Sequence, residues 1–486
     1  MINLKDVYFG CAAAENEVAQ NPKVFKKVFF DPHEYLKELI SGHRFLLRGR
    51  KGDGKTAYAS QIQLTAEEND ICVRQRSLNN FNNTMFEKLE PYRQLGGNPY
   101  ISLWKCILMI EAVGMIDECE PNIQNKDFVE VAELLKKHGF LTKDNDIPAT
   151  VNRLVETEFS LNLRGMFQFV KKYSSNDSLN GPGEIFSIIK ASIQNTCITT
   201  KKFILIVDGL DDIQLGNTGF RADIIVGLIR AVDELNREMN TEKAARNGTI
   251  AVKVNLLIRD DILNLCRDPN ISKIVRDMGI KLSWTIIQED IYRSDLIRLV
   301  SKRIDEVTGE EDSFQRVWKE IFPEKIEGRD SLSYILDNII YRPRDILQFF
   351  VELQKEIVPG EALAVGKIKS VLRAYSEEYF VKTMEDEMTG FFPDEVVNCL
   401  ANILAGMEDR YFRLEEFEKE CSAHQEFKDV APRSVLEKLF DAGYIGQRRP
   451  RNQKDYTVFS YRNSKESFRV DHECILHRGL MKALAF

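Results

Sequence analysis

The chain has 486 residues, too long for one compact core, so two to four domains are expected. With 43% hydrophobic and 29% charged residues it reads as globular, and 67 Lys and Arg against 75 Asp and Glu leave a net charge of -8, which argues against nucleic acid coating the whole surface and leaves room only for a local basic patch. The nine Cys contain no CxxC pair and the six His make no ligand-spaced cluster with them, so neither a disulfide framework nor a structural zinc is expected, and a reducing cytoplasm suits the composition.

The N-terminus, MINLKDVYFG, lacks the apolar core of a signal segment, and the strand-like apolar runs are too short to span a bilayer, so no membrane association is expected. The first 35 residues are too few for a domain and are expected to pack on the core that follows. Arg44 to Arg48 reads as a short strand, followed at once by Gly49-Arg50-Lys51-Gly52-Asp53-Gly54-Lys55-Thr56 and an apolar-spaced helix from Ala57. That is GxxxxGK[ST] in the strand, loop, helix setting of a phosphate-binding loop. Gly49, Gly52 and Gly54 let backbone N–H groups turn inward around phosphate oxygens, Lys55 reaches the β and γ phosphates, and the Thr56 hydroxyl ligates Mg²⁺. The bland alternative is a Gly-rich surface turn.

From Thr56 to Asp208 is 152 positions, more than a minimal nucleotide-binding core needs, so an insertion is expected over about residues 98–195. Helical spacing at Tyr100 to Met115, Val129 to His138 and Ile185 to Ile193 makes it helical, with Trp104 and Met109 as core and Ser174 to Gly183 as a loop. Phe203 to Val207 is a continuous apolar run, as a parallel strand buried on both faces requires. It ends in Asp208-Gly209-Leu210-Asp211-Asp212. A carboxylate there can hold Mg²⁺ through its water shell, the role read for Asp208, while Asp211 or Asp212 orients an attacking water. Taken alone, an acidic turn after a strand is an ordinary helix N-cap. A third strand, Ala251 to Ile258, ends in Arg259-Asp260-Asp261, where Arg259 either senses the γ phosphate or makes a salt bridge with Asp260 or Asp261.

Gly49 to Thr56, Asp208 to Asp212 and Leu256 to Asp261 resemble the three nucleotide-site motifs of P-loop ATPases of the AAA+ and STAND type, and most closely the bacterial stand-alone ATPases of that clade. The resemblance covers most of residues 36 to 380. It implies ATP and Mg²⁺ as cofactors, ATP-dependent switching, assembly into homo-oligomers, a separately encoded partner or effector, and a role in anti-phage defence or nucleic-acid maintenance. Gly209 stands where many AAA+ enzymes carry a catalytic Glu, which implies slow hydrolysis.

The expected fold is α/β: a P-loop NTPase core with a parallel sheet over residues 36–285, a helical lid over 286–388 and a winged-helix domain over 389–486. The lid begins with an amphipathic stripe at Ile297, Val300, Ile304 and Val307. A second stripe at Ile346, Phe350, Leu353 and Ile357 follows Arg342-Pro343-Arg344-Asp345, with Pro343 where a helix start tolerates it. By likeness to AAA+ lids, Arg344 touches the nucleotide and couples lid closure to it; the alternative is an Arg facing solvent. In the last hundred residues, helical stripes precede a hairpin whose tip carries Arg448, Arg449, Arg451 and Lys454, and a helix is expected over His472 to Leu484 with His477 structural.

Residues 390–441 carry 6 Lys and Arg against 12 Asp and Glu, whereas 442–486 carry 9 against 4. Such a wing either contacts DNA phosphates or docks a protein. Beside the switch stand two other readings, a DNA-remodelling or loader ATPase similar to origin-recognition ATPases, and a module that retains nucleotide without hydrolysis.

Overall fold

A computed structural model describes residues 2–78, 99–141, 146–156, 182–196, 201–209, 222–239, 248–266, 268–286, 290–451, 454–463 and 466–484. Asp211, Asp212 and most of the loop expected at Ser174 to Gly183 lie outside the described residues, as do the side chains of Arg451 and Lys454. The chain divides into two compact units, one made of His33–Gly49 and Tyr58–Lys281, the other of Met1–Pro32, Arg50–Ala57 and Leu282–Phe486.

The first unit is built on a five-stranded parallel sheet of β1 (Leu46–Gly49), β2 (Ile71–Ser77), β3 (Lys202–Asp208), β4 (Val252–Arg259) and β5 (Gly279–Lys281), in the order β2-β3-β4-β1-β5. β3 is buried at all but its first residue, as its unbroken apolar run requires, and β4 is buried along its whole length although it carries Lys253, Asn255 and Arg259. The step from β1 to β2 runs one way across the sheet and every later step runs back. Right-handed crossovers therefore put helix Lys55–Leu64 on one face and helices Pro99–Cys119, Pro182–Gln194, Ala222–Glu238 and Pro269–Met278 on the other. The packing agrees. Helix Ala222–Glu238 lies against β4 and against helices Pro99–Cys119 and Pro269–Met278, while Tyr58 of helix Lys55–Leu64 meets Tyr35 of helix Tyr35–Ser41.

The three helices expected in the insertion are present at Pro99–Cys119, Lys126–Lys137 and Pro182–Gln194. The first packs directly on β2 and β3. That position explains why it is apolar all round: Trp104 and Met109 are core, and the Trp104 indole donates to the Ile224 carbonyl at 3.0 Å. Cys72 on β2 and Cys119 at the end of this helix are joined as a disulfide, contrary to the expectation of none. A strand and a helix end 47 residues apart meet only in the fold, so a search for close cysteine pairs misses them. No described helix is long and apolar enough to cross a membrane.

In the second unit the N-terminal segment, expected on the nucleotide core, packs instead on helices Asp295–Thr308 and Pro343–Glu356. Leu4, Val7 and Phe9 join their apolar core, with Phe9 stacked on Phe350 at 4.7 Å. Gln354 donates to the carbonyls of Leu4 and Val7 at 2.6 and 2.7 Å, and buried Arg303 pairs with buried Glu17 at 2.7 Å. The short apolar triplet is thus paired with a helical groove rather than with a sheet. Both helices expected in the lid segment form, at Asp295–Thr308 and Pro343–Glu356, with the short antiparallel pair β6 (Lys325–Ile326) and β7 (Arg329–Asp330) between them in the chain, and the stripe residues are buried except Val307, which is 43% exposed at its helix end.

The C-terminal part runs helix Asp394–Ala405, β8 (Tyr411–Phe412), helix Leu414–Ser422, helix Pro432–Ala442, the hairpin β9 (Ile445–Arg451) and β10 (Lys454–Val458), then β11 (Cys474–Leu476). The four strands form one sheet in the order β10-β9-β11-β8. Where a helix was expected over His472 to Leu484, β11 pairs with β9 and β8, and only Arg478–Met481 is helical. His477 caps that turn by accepting from the Gly479 N–H and lies 3.0 Å from the Tyr461 hydroxyl, so it is structural as expected.

One buried amine in the first unit has a measurable signature. Lys253 donates to the carbonyls of Glu38 and Gly42 at 2.7 and 2.8 Å, closing the C-terminal end of helix Tyr35–Ser41, and burial pulls its pKa down to about 7. The unfolded chain therefore binds more protons than the folded one between pH 7 and 10.5, and Lys253 makes stability rise with pH across that window. Denaturation of the wild type minus that of Lys253→Met should give a slope approaching about 1.4 kcal/mol per pH unit in that range. Parallel pH profiles would contradict this.

Candidate nucleotide site

Within the first unit, the connections leaving β1 and β4 depart in opposite directions, so the crevice of this sheet opens outside the C-terminal ends of these two strands. Those ends are Gly49 and Arg259, paired to each other in register. β3 ends beyond β4 at Asp208, two strand spacings or roughly 10 Å from β1. Asp208 is 8% exposed, and one of its carboxylate oxygens accepts from the Gly209 N–H at 2.7 Å. Gly209 has φ +78°, a conformation other residues rarely adopt. That backbone is a physical reason for glycine directly after Asp208.

Arg259 is buried and makes a bidentate pair with Asp261 at 2.9 and 2.6 Å, while Asp260 pairs with Arg48 at 2.6 Å. Of the two readings left by the sequence, the strand-end ion pair is the one formed here.

The loop after β1 belongs to the second unit and is tightly organised there. Gly52 and Gly54 have φ +88° and +95°, so glycine is required at both by backbone conformation. Gly52 is also crowded, since a Cβ would lie 3.2 Å from Arg342 Cδ and from Arg344 Cβ. The Arg50 N–H donates to the Asp53 carboxylate at 2.6 Å, and Lys55 Nζ donates to the Arg50 carbonyl at 3.1 Å. Burial pushes the Asp53 carboxyl up to about 6 against the opposing charges of Arg50, Lys55 and Arg342. The Trp284 indole holds the Asp53 carbonyl at 3.0 Å. Thr56 follows in the first turn of helix Lys55–Leu64 and is half-buried.

Lid and C-terminal elements grip this loop. The Arg344 N–H points at the Gly52 carbonyl at 3.4 Å, Lys51 Nζ reaches the Asp386 carbonyl at 3.5 Å, and Arg50 donates to the Ser460 carbonyl at 2.7 Å. Arg344, read from the sequence as the nucleotide-sensing residue, thus meets the loop through its backbone and Cβ.

The residue that the sequence reading missed is its neighbour Arg342, whose side chain is 1% exposed. Its guanidinium donates to the Lys51 carbonyl at 3.0 Å, to Glu387 at 2.6 Å and to the Tyr444 hydroxyl at 3.1 Å, and pairs through Nε with Asp345. Tyr444 also donates to Glu387 at 3.0 Å, and Tyr375 to Asp345 at 3.1 Å. Burial raises the Asp345 carboxyl, opposed by the Arg342 charge. One cation therefore ties the loop Gly49 to Thr56 to helix Pro343–Glu356, to helix Val381–Met388 and to the residue before β9. The signal available in the sequence was Asp345, an acid three residues from Arg342 inside an apolar stripe.

The arginines of the β9–β10 hairpin depart from the expectation of a solvated basic tip. Strand alternation turns Gln447 and Arg449 inward; Arg449 is 4% exposed, ion-paired with Glu466 and donating to the Ser467 carbonyl. Arg448 is half-exposed, paired with Glu473 at 2.8 Å and stacked over Tyr411 at 4.3 Å.

Residues 294–383, the helical stretch that contains Arg342, match the FunZ-associated C-terminal helical domain family. Over 98% of its length the chain is 22% identical to a putative transposon gamma-delta 80.3 kDa protein of Escherichia coli K12. It spans 66% of that relative's length. Two solved structures align along nearly the whole chain: Aeropyrum pernix ORC1 in complex with DNA (13% identity, 96% of this chain and 95% of that one, TM-score 0.38) and Pyrobaculum aerophilum Cdc6p (12% identity, 95% and 97%, TM-score 0.26). At these scores the fold assignment rests on the sheet itself.

Replacing Arg342 by Met leaves Asp345 and Glu387 buried without their cation, which should cost about 3–5 kcal/mol in urea denaturation. Adding Asp345→Leu and Glu387→Met should recover most of it, because the remaining charges are removed as well. A single Arg342→Met change within 1 kcal/mol of wild type, on the order of an exposed ion pair, would contradict the network.

Proposed function

We propose that the chain is an ATP-binding and slowly hydrolysing switch of the AAA+ and STAND type, in which the state of the loop Gly49 to Thr56 sets the position of the C-terminal elements. Lys55 neutralises the β and γ phosphates, Thr56 and Asp208 hold Mg²⁺, and Asp211 or Asp212 orients the water. The observation that carries this reading is the Arg342 network, in which the Lys51 carbonyl of the loop and the Tyr444 hydroxyl share one guanidinium. A phosphate turns the loop's N–H groups toward itself, and the carbonyls move with the peptide planes. A buried cation deprived of an acceptor is costly, so displacement of Lys51 favours rearrangement around Arg342 rather than a lost bond.

Fluorescent-nucleotide titration tests the site. Lys55→Ala should weaken Mg-ATP binding at least tenfold, about 1.4 kcal/mol for one charge-assisted phosphate contact. Asp208→Ala should remove the gain in affinity that Mg²⁺ confers while leaving metal-free ATP binding unchanged. Wild-type affinity in both variants would overturn the assignment.

A second reading, a DNA-remodelling ATPase, is favoured by the excess of positive charge in residues 442–486 and by the transposon origin in the name of the Escherichia coli relative. Phosphate release by the purified chain should then rise with duplex DNA and fall steeply with added salt. Release indifferent to DNA favours a protein partner docked on the C-terminal region, as the paired state of Arg448 and Arg449 does.

A further inference from the structure

The C-terminal part brings together a donor set that the sequence reading did not find. Cys399 lies on helix Asp394–Ala405, and His424 and Glu426 lie on the turn after helix Leu414–Ser422. One thiol sulfur, one imidazole nitrogen and one carboxylate oxygen from these three residues all lie within 4.8 Å of one another. The turn is held by backbone hydrogen bonds from His424 N–H to the Cys421 carbonyl at 3.0 Å and from Phe427 N–H to the His424 carbonyl at 3.2 Å, with Phe427 buried as its anchor. His424 and Glu426 are thereby held on a fixed loop. Cys399 and His424 are half-buried and Glu426 is exposed, so the cluster is partly dry yet open to an ion from solvent.

We propose that Cys399, His424 and Glu426 form a binding site for a divalent transition-metal ion of the zinc class. The donor chemistry selects the metal: a thiolate with an imidazole suits Zn²⁺ and disfavours Mg²⁺ and Ca²⁺, which take oxygen ligands. The geometry is within reach. Zn–S and Zn–N bonds of about 2.3 and 2.0 Å in a tetrahedron put donors roughly 3.5 Å apart, so side-chain adjustment of about 1 Å closes the site. Three protein ligands leave the fourth position to water. The Cys399 thiol gives up its proton on binding, so the ion meets a thiolate, a neutral imidazole and a carboxylate and its charge is balanced.

The ion would clasp helix Asp394–Ala405 to the turn that precedes helix Pro432–Ala442, which leads into β9. Its consequence is a stiffer base for the hairpin. This site is independent of the nucleotide loop, and its test does not depend on nucleotide binding.

The test uses the full chain stripped with a chelator and reloaded with Zn²⁺ or Co²⁺ alone. One Zn²⁺ per chain should be retained after gel filtration, and the Co²⁺ form should show a thiolate-to-metal charge-transfer band. Cys399→Ser should abolish that band. His424→Ala should weaken Zn²⁺ binding by more than the tenfold that even outer-shell partners cost. Folding of both variants is checked by circular dichroism, and the wild-type stoichiometry stands whatever they do. Absence of retained Zn²⁺ in the wild type, a Co²⁺ spectrum without a thiolate band, or unchanged affinity in both variants overturns the proposal.

Discussion

The second unit depends on one buried guanidinium. Arg342 is enclosed by two carboxylates and two kinds of neutral oxygen, the Lys51 carbonyl and the Tyr444 hydroxyl. Taken out of water, a cation is tolerated only while its partners stay in place. Each partner comes from a different stretch of chain, 51, 345, 387 and 444, so the requirement to satisfy one side chain fixes four segments together. Hydrophobic packing supplies the bulk of the stability around it but is non-directional. The polar cluster is not, and it is what makes a two-state rearrangement plausible in physical terms.

The loop Gly49 to Thr56 follows the same logic on a smaller scale. Gly52 sits under Arg342 and Arg344 with no room for a side chain, and Asp53 is buried among positive charges. Lys51 and Arg50 carry further bonds to the carbonyls of Asp386 and Ser460, at 3.5 and 2.7 Å, which hold the loop beside Arg342.

The strands β1, β3 and β4, the loop between Gly49 and Thr56 and the helical stripes were legible because period, apolar runs and glycine spacing are local properties. Arg342 was not, because the text around it offered Pro343-Arg344 as the more familiar feature, and the meaning of Arg342 lies in residues 45 and 102 positions away. The same distance hid the Cys72–Cys119 bridge and the company kept by Cys399. Arg449 was misjudged for another reason: charge counting treats a hairpin tip as uniformly solvated, whereas strand alternation sends every second residue inward. Val307 and the segment His472 to Leu484 failed at element ends, where periodicity is weakest.

Hydrogen exchange at β9, which Tyr444 leads into, and at helix Val381–Met388, which carries Glu387, tests the central claim most directly, since Tyr444 and Glu387 contact Arg342 without belonging to the loop Gly49 to Thr56. Saturating Mg-ATP should alter amide protection in both segments of the wild type and leave them unaltered in Arg342→Met that still binds nucleotide. Bound nucleotide with no change in either segment of the wild type would contradict the account.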